Sequence, residues 1–210
     1  DESGHGKAIS DLPIGSYYVQ EISTNSAYLL DDTKYPVVFE YAGQDTATVH
    51  ISANDGNAIE NEIIYGSVSG KKSDEDGNAL GGATLGIFKT GTAEFTKETA
   101  IATTVSAEDG SFSFEKVPYG TWIVREIESP KGYVLSEKEI AVTIGKVEEV
   151  VEIELVNYFI KGNIALTKVD KDYPDNKLSG AVFEVYSDIN GDGKLDKDDT
   201  LLGEMKELDG

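Results

Sequence analysis

In three segments of this sequence, every second residue is apolar or glycine until the alternation ends at a lysine, an acid or an amide. Read with a period of two, the rows are Val68, Gly70, Lys72; Trp122, Val124, Glu126; and Val151, Ile153, Leu155, Asn157. Alternate residues of a strand share one face, so we expect Lys72, Glu126 and Asn157 to point inward. Burial favours a neutral lysine and a protonated acid, which suits them to act as nucleophile and proton carrier toward an amide electrophile. The pattern predicts a Lys72–Asn157 isopeptide bond.

A simpler interpretation also fits these rows. Lys72 would extend its ammonium group to the surface and form an ordinary salt bridge with Glu126, while Asn157 would hydrogen-bond at a strand end. Lys71, which lies next to Lys72 on the outward phase, is the main competing lysine.

The elements that must position these residues are short strands. Valine, isoleucine, threonine and tyrosine alternate in brief runs, separated by turns such as Asp76-Gly77-Asn78 and Asp109-Gly110. This pattern predicts an all-β protein and favours a sandwich over a barrel.

Composition points to a protein outside the cell. The formal net charge of −21 disfavours binding to nucleic acid or to an anionic membrane. The chain has only two histidines, which leaves little material for a histidine-based site. It has no cysteine and cannot form disulfide bonds, so outside the cell it would need another kind of covalent cross-link for stability. No apolar run reaches membrane-spanning length and residues 1–30 lack a signal-peptide pattern, so we expect a mature fragment without membrane insertion.

An internal repeat predicts the domain organisation. The run "GSVSGKKSDEDGNALGGA" from Gly66 recurs as "GNIALTKVDKDYPDNKLSGA" from Gly162, and "DLPIGSYYVQEI" at 11–22 matches "KVPYGTWIVREI" at 116–127. We therefore expect one complete module at 62–158 between two partial ones. Residues 1–61 would form the later part of a module, with Glu21 and Asn61 but no counterpart of Lys72. Residues 159–210 would form the early part of another, with Lys168 in an Ile164, Leu166, Lys168 row.

Two runs carry a resemblance to a known family. "YGTWIVREIESPKGYVL" resembles the E-box of Cna B-type domains, also called SpaA-like or prealbumin-like, and "LVNYFIKGNIALTKVD" resembles the junction between two such domains. These domains occur in Gram-positive pilins and adhesin stalks. The resemblance implies tandem Ig-like sandwiches, an isopeptide triad of Lys72, Glu126 and Asn157 with Glu126 as the catalytic acid, and incomplete triads containing Lys168, Glu21 and Asn61. The first module departs from the family by having "EISTNSAYLL" where a Pro-x-Gly-Tyr turn is usual.

A second motif, "DINGDGKLDKDD", is typical of a calcium loop. Oxygen donors stand at loop positions 1, 3, 5, 7, 9 and 12, the seventh being a backbone carbonyl, and Gly193 stands at position 6, where the chain must turn sharply. The predicted ligands are Asp188, Asn190, Asp192, Lys194, Asp196 and Asp199. The motif departs from the usual loop by ending in aspartate, and the alternative is a solvated acidic turn.

Together with these patterns, the resemblance to Cna B-type domains implies a structural subunit of a Gram-positive cell-surface fibre or pilus, located outside the cell at the cell wall. We expect no enzyme activity beyond one self-directed turnover, and Ca²⁺ as the one cofactor. Expected partners are neighbouring modules or other copies, joined head to tail when their half modules complete each other. The alternative for the half modules is a fragment cut from a longer tandem array. The alternative function is an adhesin that binds a host protein or glycan.

Overall fold

The computed structural model describes residues 12–40, 43 and 58–206, and the regular structure of these residues is entirely β. Their strands are β1 Gly15–Val19, β2 Tyr35–Phe39, β3 Tyr65–Asp74, β4 Thr84–Lys89, β5 Ala102–Val105, β6 Ser111–Pro118, β7 Gly120–Glu128, β8 Ile140–Ile144, β9 Val150–Asn157, β10 Phe183–Ser187 and β11 Thr200–Met205. In this part of the chain, no helix has the length and hydrophobicity needed to cross a bilayer. The all-β prediction is confirmed.

Strands β3 to β9 form a sandwich of two sheets, which we call the central module (residues 62–158). One sheet has the order β6-β3-β9 and the other the order β5-β4-β7-β8. The side chains between the sheets form one buried cluster, comprising Ile64, Val68, Leu85, Ile87, Phe112, Phe114, Val117, Val124, Val142, Ile144 and Leu155. Both sheets contribute to this cluster, so the alternating rows seen in the sequence are the inward faces of a sandwich.

The first and last strands of the central module lie side by side. β3 and β9 run parallel, with Lys72 opposite Leu155 and Asp74 opposite Asn157, whereas β3 and β6 run antiparallel. β3 is therefore the middle strand of its sheet. A bond between the side chains of β3 and β9 would tie the two ends of the module together.

Gly70 allows β3 and β9 to approach this closely. A Cβ atom at this position would lie 2.3 Å from the carbonyl oxygen of Ile153 and 2.5 Å from the ring of Phe112. Both atoms belong to the neighbouring strands of the same sheet, so only a residue without a side chain fits between them.

The described residues before the central module belong to the same compact unit, which covers Asp1–Ile160. β1 and β2 form an antiparallel pair, and a bridge joins Tyr28 to Ile63. Leu29 packs against the core of the central module. The predicted boundary at 61/62 therefore does not separate two compact units.

Lys161–Gly210 form a second compact unit. β10 and β11 make an antiparallel pair with an irregularity between Val185 and Tyr186. The structure differs from the sequence prediction before β10, because Ile164, Leu166 and Lys168 are exposed and lie outside any strand. In the central module the corresponding strand, β3, is held by β6 and β9, and the described residues of this unit contain no counterpart of either.

Candidate functional site

Three strands bring the predicted triad together in the core of the central module. Lys72 comes from β3, Glu126 from β7 in the opposite sheet, and Asn157 from the end of β9. Lys72 and Glu126 are each 1% exposed and Asn157 is fully buried. The inward phase predicted for all three positions is thus observed.

The three side chains contact one another directly. Lys72 Nζ donates to Asn157 Oδ1, and it lies 3.8 Å from Glu126 Oε1 and 3.5 Å from the carbonyl oxygen of Leu155. Asn157 Nδ2 donates to Glu126 Oε2 at 2.9 Å. The amine therefore lies against the carbonyl of the amide, while the acid binds the amide nitrogen that would depart.

Backbone groups hold the acid and the amide in place. The Ser136 N–H donates to Glu126 Oε2 at 2.7 Å, and Asn157 Nδ2 donates to the Val134 carbonyl at 3.0 Å. The sequence analysis missed both positions, since a backbone donor or acceptor leaves no mark in residue type. The only available signal was their location just after the Pro-Lys-Gly-Tyr turn.

Burial prepares the amine for reaction. Desolvation lowers the pKa of Lys72 below its usual value, and the nearby Glu126 carboxylate partly opposes this effect. Glu126 Oε1 is buried and has no hydrogen-bond partner. Because this oxygen faces Nζ, it is placed to accept a proton from the lysine and to return it to the leaving nitrogen.

The structure also shows which of the two adjacent lysines, Lys71 or Lys72, lies beside Asn157. The Lys72 side chain has no exposed area, so the alternative in which its ammonium reaches the surface is wrong. Lys71 is mostly exposed and pairs with Asp109 at 3.2 Å. It points away from the amide, as the outward phase predicts.

Glu21 and Asn61 form a second acid–amide pair with the same pattern of contacts. Asn61 Nδ2 donates to Glu21 Oε2 at 2.8 Å and to the Leu29 carbonyl at 2.9 Å. The Asp31 N–H donates to Glu21 Oε2 at 2.9 Å. These contacts match those of Glu126, Asn157, Val134 and Ser136 one for one.

No described lysine forms an ion pair with the acid of the second pair. Hydrogen bonds from the Asp31 backbone and then from the Asn61 amide hold the pKa of Glu21 below its usual value. Among the described residues, Glu21 makes no salt bridge. Lys168, the predicted lysine of the other incomplete triad, lies in the second compact unit and is exposed.

The predicted calcium loop connects β10 to β11 and folds around its own carboxylates. Asp188 Oδ1 accepts from the Gly191 N–H at 2.7 Å, and Asp188 Oδ2 accepts from the Gly193 N–H at 2.8 Å. Gly193 has a φ of 71°, as the sharp turn at position 6 requires. Asn190 Nδ2 donates to Asp196 Oδ2 at 2.9 Å, which brings loop positions 3 and 9 together.

The side chains of this loop offer the oxygen ligands that Ca²⁺ prefers, although its carboxylates do not converge on a common position. In the described ranges, no group of three or more His, Cys, Asp or Glu side chains forms a ligand set. Asp199 Oδ1, however, is buried and has no hydrogen-bond partner. An unpartnered buried carboxylate oxygen at loop position 12 is the donor that a calcium ion would need there.

Comparisons with known proteins agree with the fold. The family model for the SpaA prealbumin-like fold domain matches residues 1–57 and 66–158. A comparison with curated proteins gives no match.

Solved structures also resemble the chain. The TIE protein of Bacillus anthracis is 23% identical with a TM-score of 0.56, over 80% of this chain and 32% of that one. A streptococcal ancillary pilin is 26% identical with a TM-score of 0.38, over 71% of this chain and 43% of that one. The minor pilin of Streptococcus agalactiae is 20% identical with a TM-score of 0.39, over 76% and 66%. The chain thus spans about a third of the Bacillus anthracis protein.

Proposed function

The chain belongs to the SpaA family of prealbumin-like fold domains, and we propose that it is a structural segment of a Gram-positive cell-surface fibre whose central module locks itself with a Lys72–Asn157 isopeptide bond. The observation that carries this proposal is the buried contact of Lys72 with Glu126 and Asn157. Proteins outside the cell are often stabilised by disulfide bonds, which this chain cannot form because it has no cysteine. An isopeptide bond would provide the covalent cross-link in their place.

The proposed reaction is an acyl transfer within the core. Lys72 first passes a proton to Glu126, and the neutral Nζ then attacks Cγ of Asn157. The bond from Nζ to Cγ forms and the bond from Cγ to Nδ2 breaks. Glu126 delivers a proton to Nδ2, which leaves as ammonia, and the second proton of Nζ restores the acid. Each module reacts once, so the residues act as a self-modifying site and the protein is not an enzyme.

The bond would protect the module against pulling forces. It joins β3 to β9, the first and last strands of the module, which are parallel neighbours. Tension applied along the chain would then pass through the covalent link and not through the hydrogen bonds of the sheet. This is the property that a fibre subunit requires, and it favours a structural role over the adhesin alternative.

Single-molecule stretching tests this role. When the chain is pulled from its two ends, the segment between residues 72 and 157 of the wild-type central module should not extend. The Lys72→Ala variant should release about 300 Å in one event, because about 85 residues at roughly 3.5 Å each become extensible. Lys71→Ala is the matched control and should behave as the wild type. Full extension of the wild-type module would contradict a force-bearing role.

We also propose that the loop from Asp188 to Asp199 binds one Ca²⁺. Asp188, Asn190, Asp192, Asp196 and Asp199 would supply side-chain oxygens, and Lys194 would supply its backbone carbonyl. The unpartnered Asp199 Oδ1 supports this assignment. The ion would neutralise several carboxylates in a hairpin connection that carries few apolar contacts, and it would thereby stiffen the second unit.

Calorimetry with Ca²⁺ tests the loop. We expect one binding event at millimolar calcium or below, and a rise in the melting temperature of the second unit that a chelator reverses. Asp199→Asn should weaken binding at least tenfold. Asp198→Asn, which removes the same charge from the neighbouring residue, should leave it nearly unchanged. Equal losses in the two variants would indicate a general effect of negative charge and no specific site.

A further inference from the structure

The irregular loop at residues 129–136 supplies both backbone groups that hold the candidate site. Its Ser136 N–H binds Glu126 Oε2, and its Val134 carbonyl binds Asn157 Nδ2. Loops are generally more mobile than the strands they connect, so a site that depends on a loop needs contacts that fix it. The geometry of the acid and the amide therefore depends on what fixes this loop.

The segment at residues 158–160, which follows Asn157 directly, pairs with this loop. An antiparallel bridge joins Tyr133 to Phe159, and two backbone hydrogen bonds of 2.8 Å flank it. These bonds run from the Val134 N–H to the Tyr158 carbonyl and from the Ile160 N–H to the Gly132 carbonyl. The chain just beyond β9 thus fastens the loop that holds the amide.

Two aromatic rings add a side-chain contact to this pairing. The rings of Tyr133 and Phe159 have their centres 5.0 Å apart and their planes inclined by 30°, which is close to offset stacking. Both residues are half-buried, whereas Tyr158 and Ile160 are 61% and 65% exposed. Of the three side chains in segment 158–160, that of Phe159 is therefore the one that packs on the loop.

Bonds within the loop fix the position of Tyr133. Ser129 Oγ donates to the Tyr133 carbonyl at 3.0 Å, and the Tyr133 N–H donates to the Pro130 carbonyl at 3.2 Å. Gly132 has a φ of 93°, which favours glycine in this turn. Movement of the Tyr133 backbone would therefore break the turn that precedes the two groups at the site.

The same backbone arrangement surrounds the second acid–amide pair. A bridge joins Tyr28 to Ile63, and two hydrogen bonds of 2.8 Å flank it. These bonds run from the Leu29 N–H to the Glu62 carbonyl and from the Ile64 N–H to the Ala27 carbonyl. The arrangement thus recurs with the acid–amide geometry although the loop sequences differ. Ile63 stands where the central module has Phe159, so the ring pair belongs to the site with the buried lysine.

We propose that Tyr133 and Phe159 are positioning residues for the cross-linking reaction, and that the bond forms only after segment 158–160 has docked on the loop. Stacking of the two rings holds the backbone groups that orient the amide and the acid toward the amine of Lys72. The inference rests on the proposed function, since the same Nζ–Cγ bond forms and the same ammonia leaves. Cross-linking would then wait until the last residues of the module are in place.

The rate of ammonia loss during refolding tests this inference. The full chain is recovered unfolded from inclusion bodies, its starting mass is checked for unreacted molecules, and it is refolded by dilution. Intact mass then follows cross-linking, and circular dichroism follows folding. Tyr133→Ala and Phe159→Ala should fold but lose ammonia at least tenfold more slowly than the wild type, because a misplacement of about 1 Å can cost about 100-fold in rate. Tyr133→Phe and Phe159→Tyr keep both rings and should restore the wild-type rate.

Control variants separate positioning from stability. Tyr28→Ala removes the corresponding tyrosine beside the other acid–amide pair and should leave the rate unchanged. Val117→Ala opens a cavity in the core, where Val117 lies opposite Gly66 at the far end of β3 from Lys72. It should lower stability and leave the rate of folded molecules unchanged. The combined Tyr133→Ala and Phe159→Ala variant should be no slower than either alone, because the two residues act through one contact.

The outcomes distinguish this inference from the proposed function. A Tyr133→Ala chain that folds and cross-links at the wild-type rate would overturn the inference and leave the function of the central module intact. Equal slowing by Val117→Ala would also overturn it, because stability and not position would then set the rate. If Tyr133→Ala does not fold, Tyr133→Leu, which keeps apolar volume without a ring, should show the same slowing. A folded wild-type chain that never loses ammonia would remove the proposed function itself.

Discussion

Replacement of Lys72 by alanine should lower the free energy of unfolding of the central module by about 4–5 kcal/mol. The proposed Lys72–Asn157 bond would close a loop of about 86 residues, and loop-entropy estimates for disulfides of this size give that value. Removal of the side chain also takes away the nitrogen that faces the buried Glu126 carboxyl and opens a cavity, both of which add to the loss. For a module of this size, the melting temperature should fall on the order of 20 °C.

Two further variants separate the bond from packing. Lys72→Met keeps most of the buried volume but has no amine, so it should lose nearly as much stability as Lys72→Ala. Lys71→Ala removes an exposed ion pair with Asp109 and should change stability by less than about 1 kcal/mol. Full stability in Lys72→Met would mean that packing, and not a covalent bond, holds the strands together.

The second large effect is expected at Gly70. A methyl group there would collide with the Ile153 carbonyl on β9 and with the Phe112 ring on β6. Relief of both contacts requires β3 to move away from its neighbours, which should cost about 3 kcal/mol. Because Lys72 and Asn157 sit on the two strands that separate, Gly70→Ala should also slow bond formation, measured as the fraction of molecules that have lost ammonia.

Gly145→Ala provides the control for this substitution. A Cβ atom at Gly145 would have its nearest neighbour, a Glu149 side-chain oxygen, at an ordinary 3.7 Å. This variant should fold and react as the wild type. If Gly70→Ala were equally harmless, the close approach of β3 and β9 would not be needed for the reaction.

The three buried side chains of the candidate site could be found in the sequence because their pattern is local. Inward orientation in a strand depends on a period of two residues, so Lys72, Glu126 and Asn157 could be placed on core faces without any knowledge of the partner strands. The β-sandwich followed from the same alternation and from the turns between runs. The acid–amide pairing of Glu21 with Asn61 was accessible through the repeat.

Other parts of the site depend on tertiary contacts that the sequence does not encode locally. The parallel pairing of β3 with β9 joins residues more than 80 positions apart. The Ser136 N–H and the Val134 carbonyl act through the backbone, whose position is set by the fold. The row containing Lys168 has the right alternation for a strand, yet it forms none, because a strand needs neighbours and the described residues of its unit provide none for it.

The intact mass of the wild-type monomer tests the central claim most directly. Formation of one isopeptide bond releases one ammonia, so the mass should lie about 17 Da below the sum of the residues. Glu126→Ala should restore the full mass expected for its own sequence, and tandem mass spectrometry should locate the wild-type loss on peptides joined through Lys72 and Asn157. A folded wild-type monomer with the full residue mass would contradict the cross-link on which this account depends.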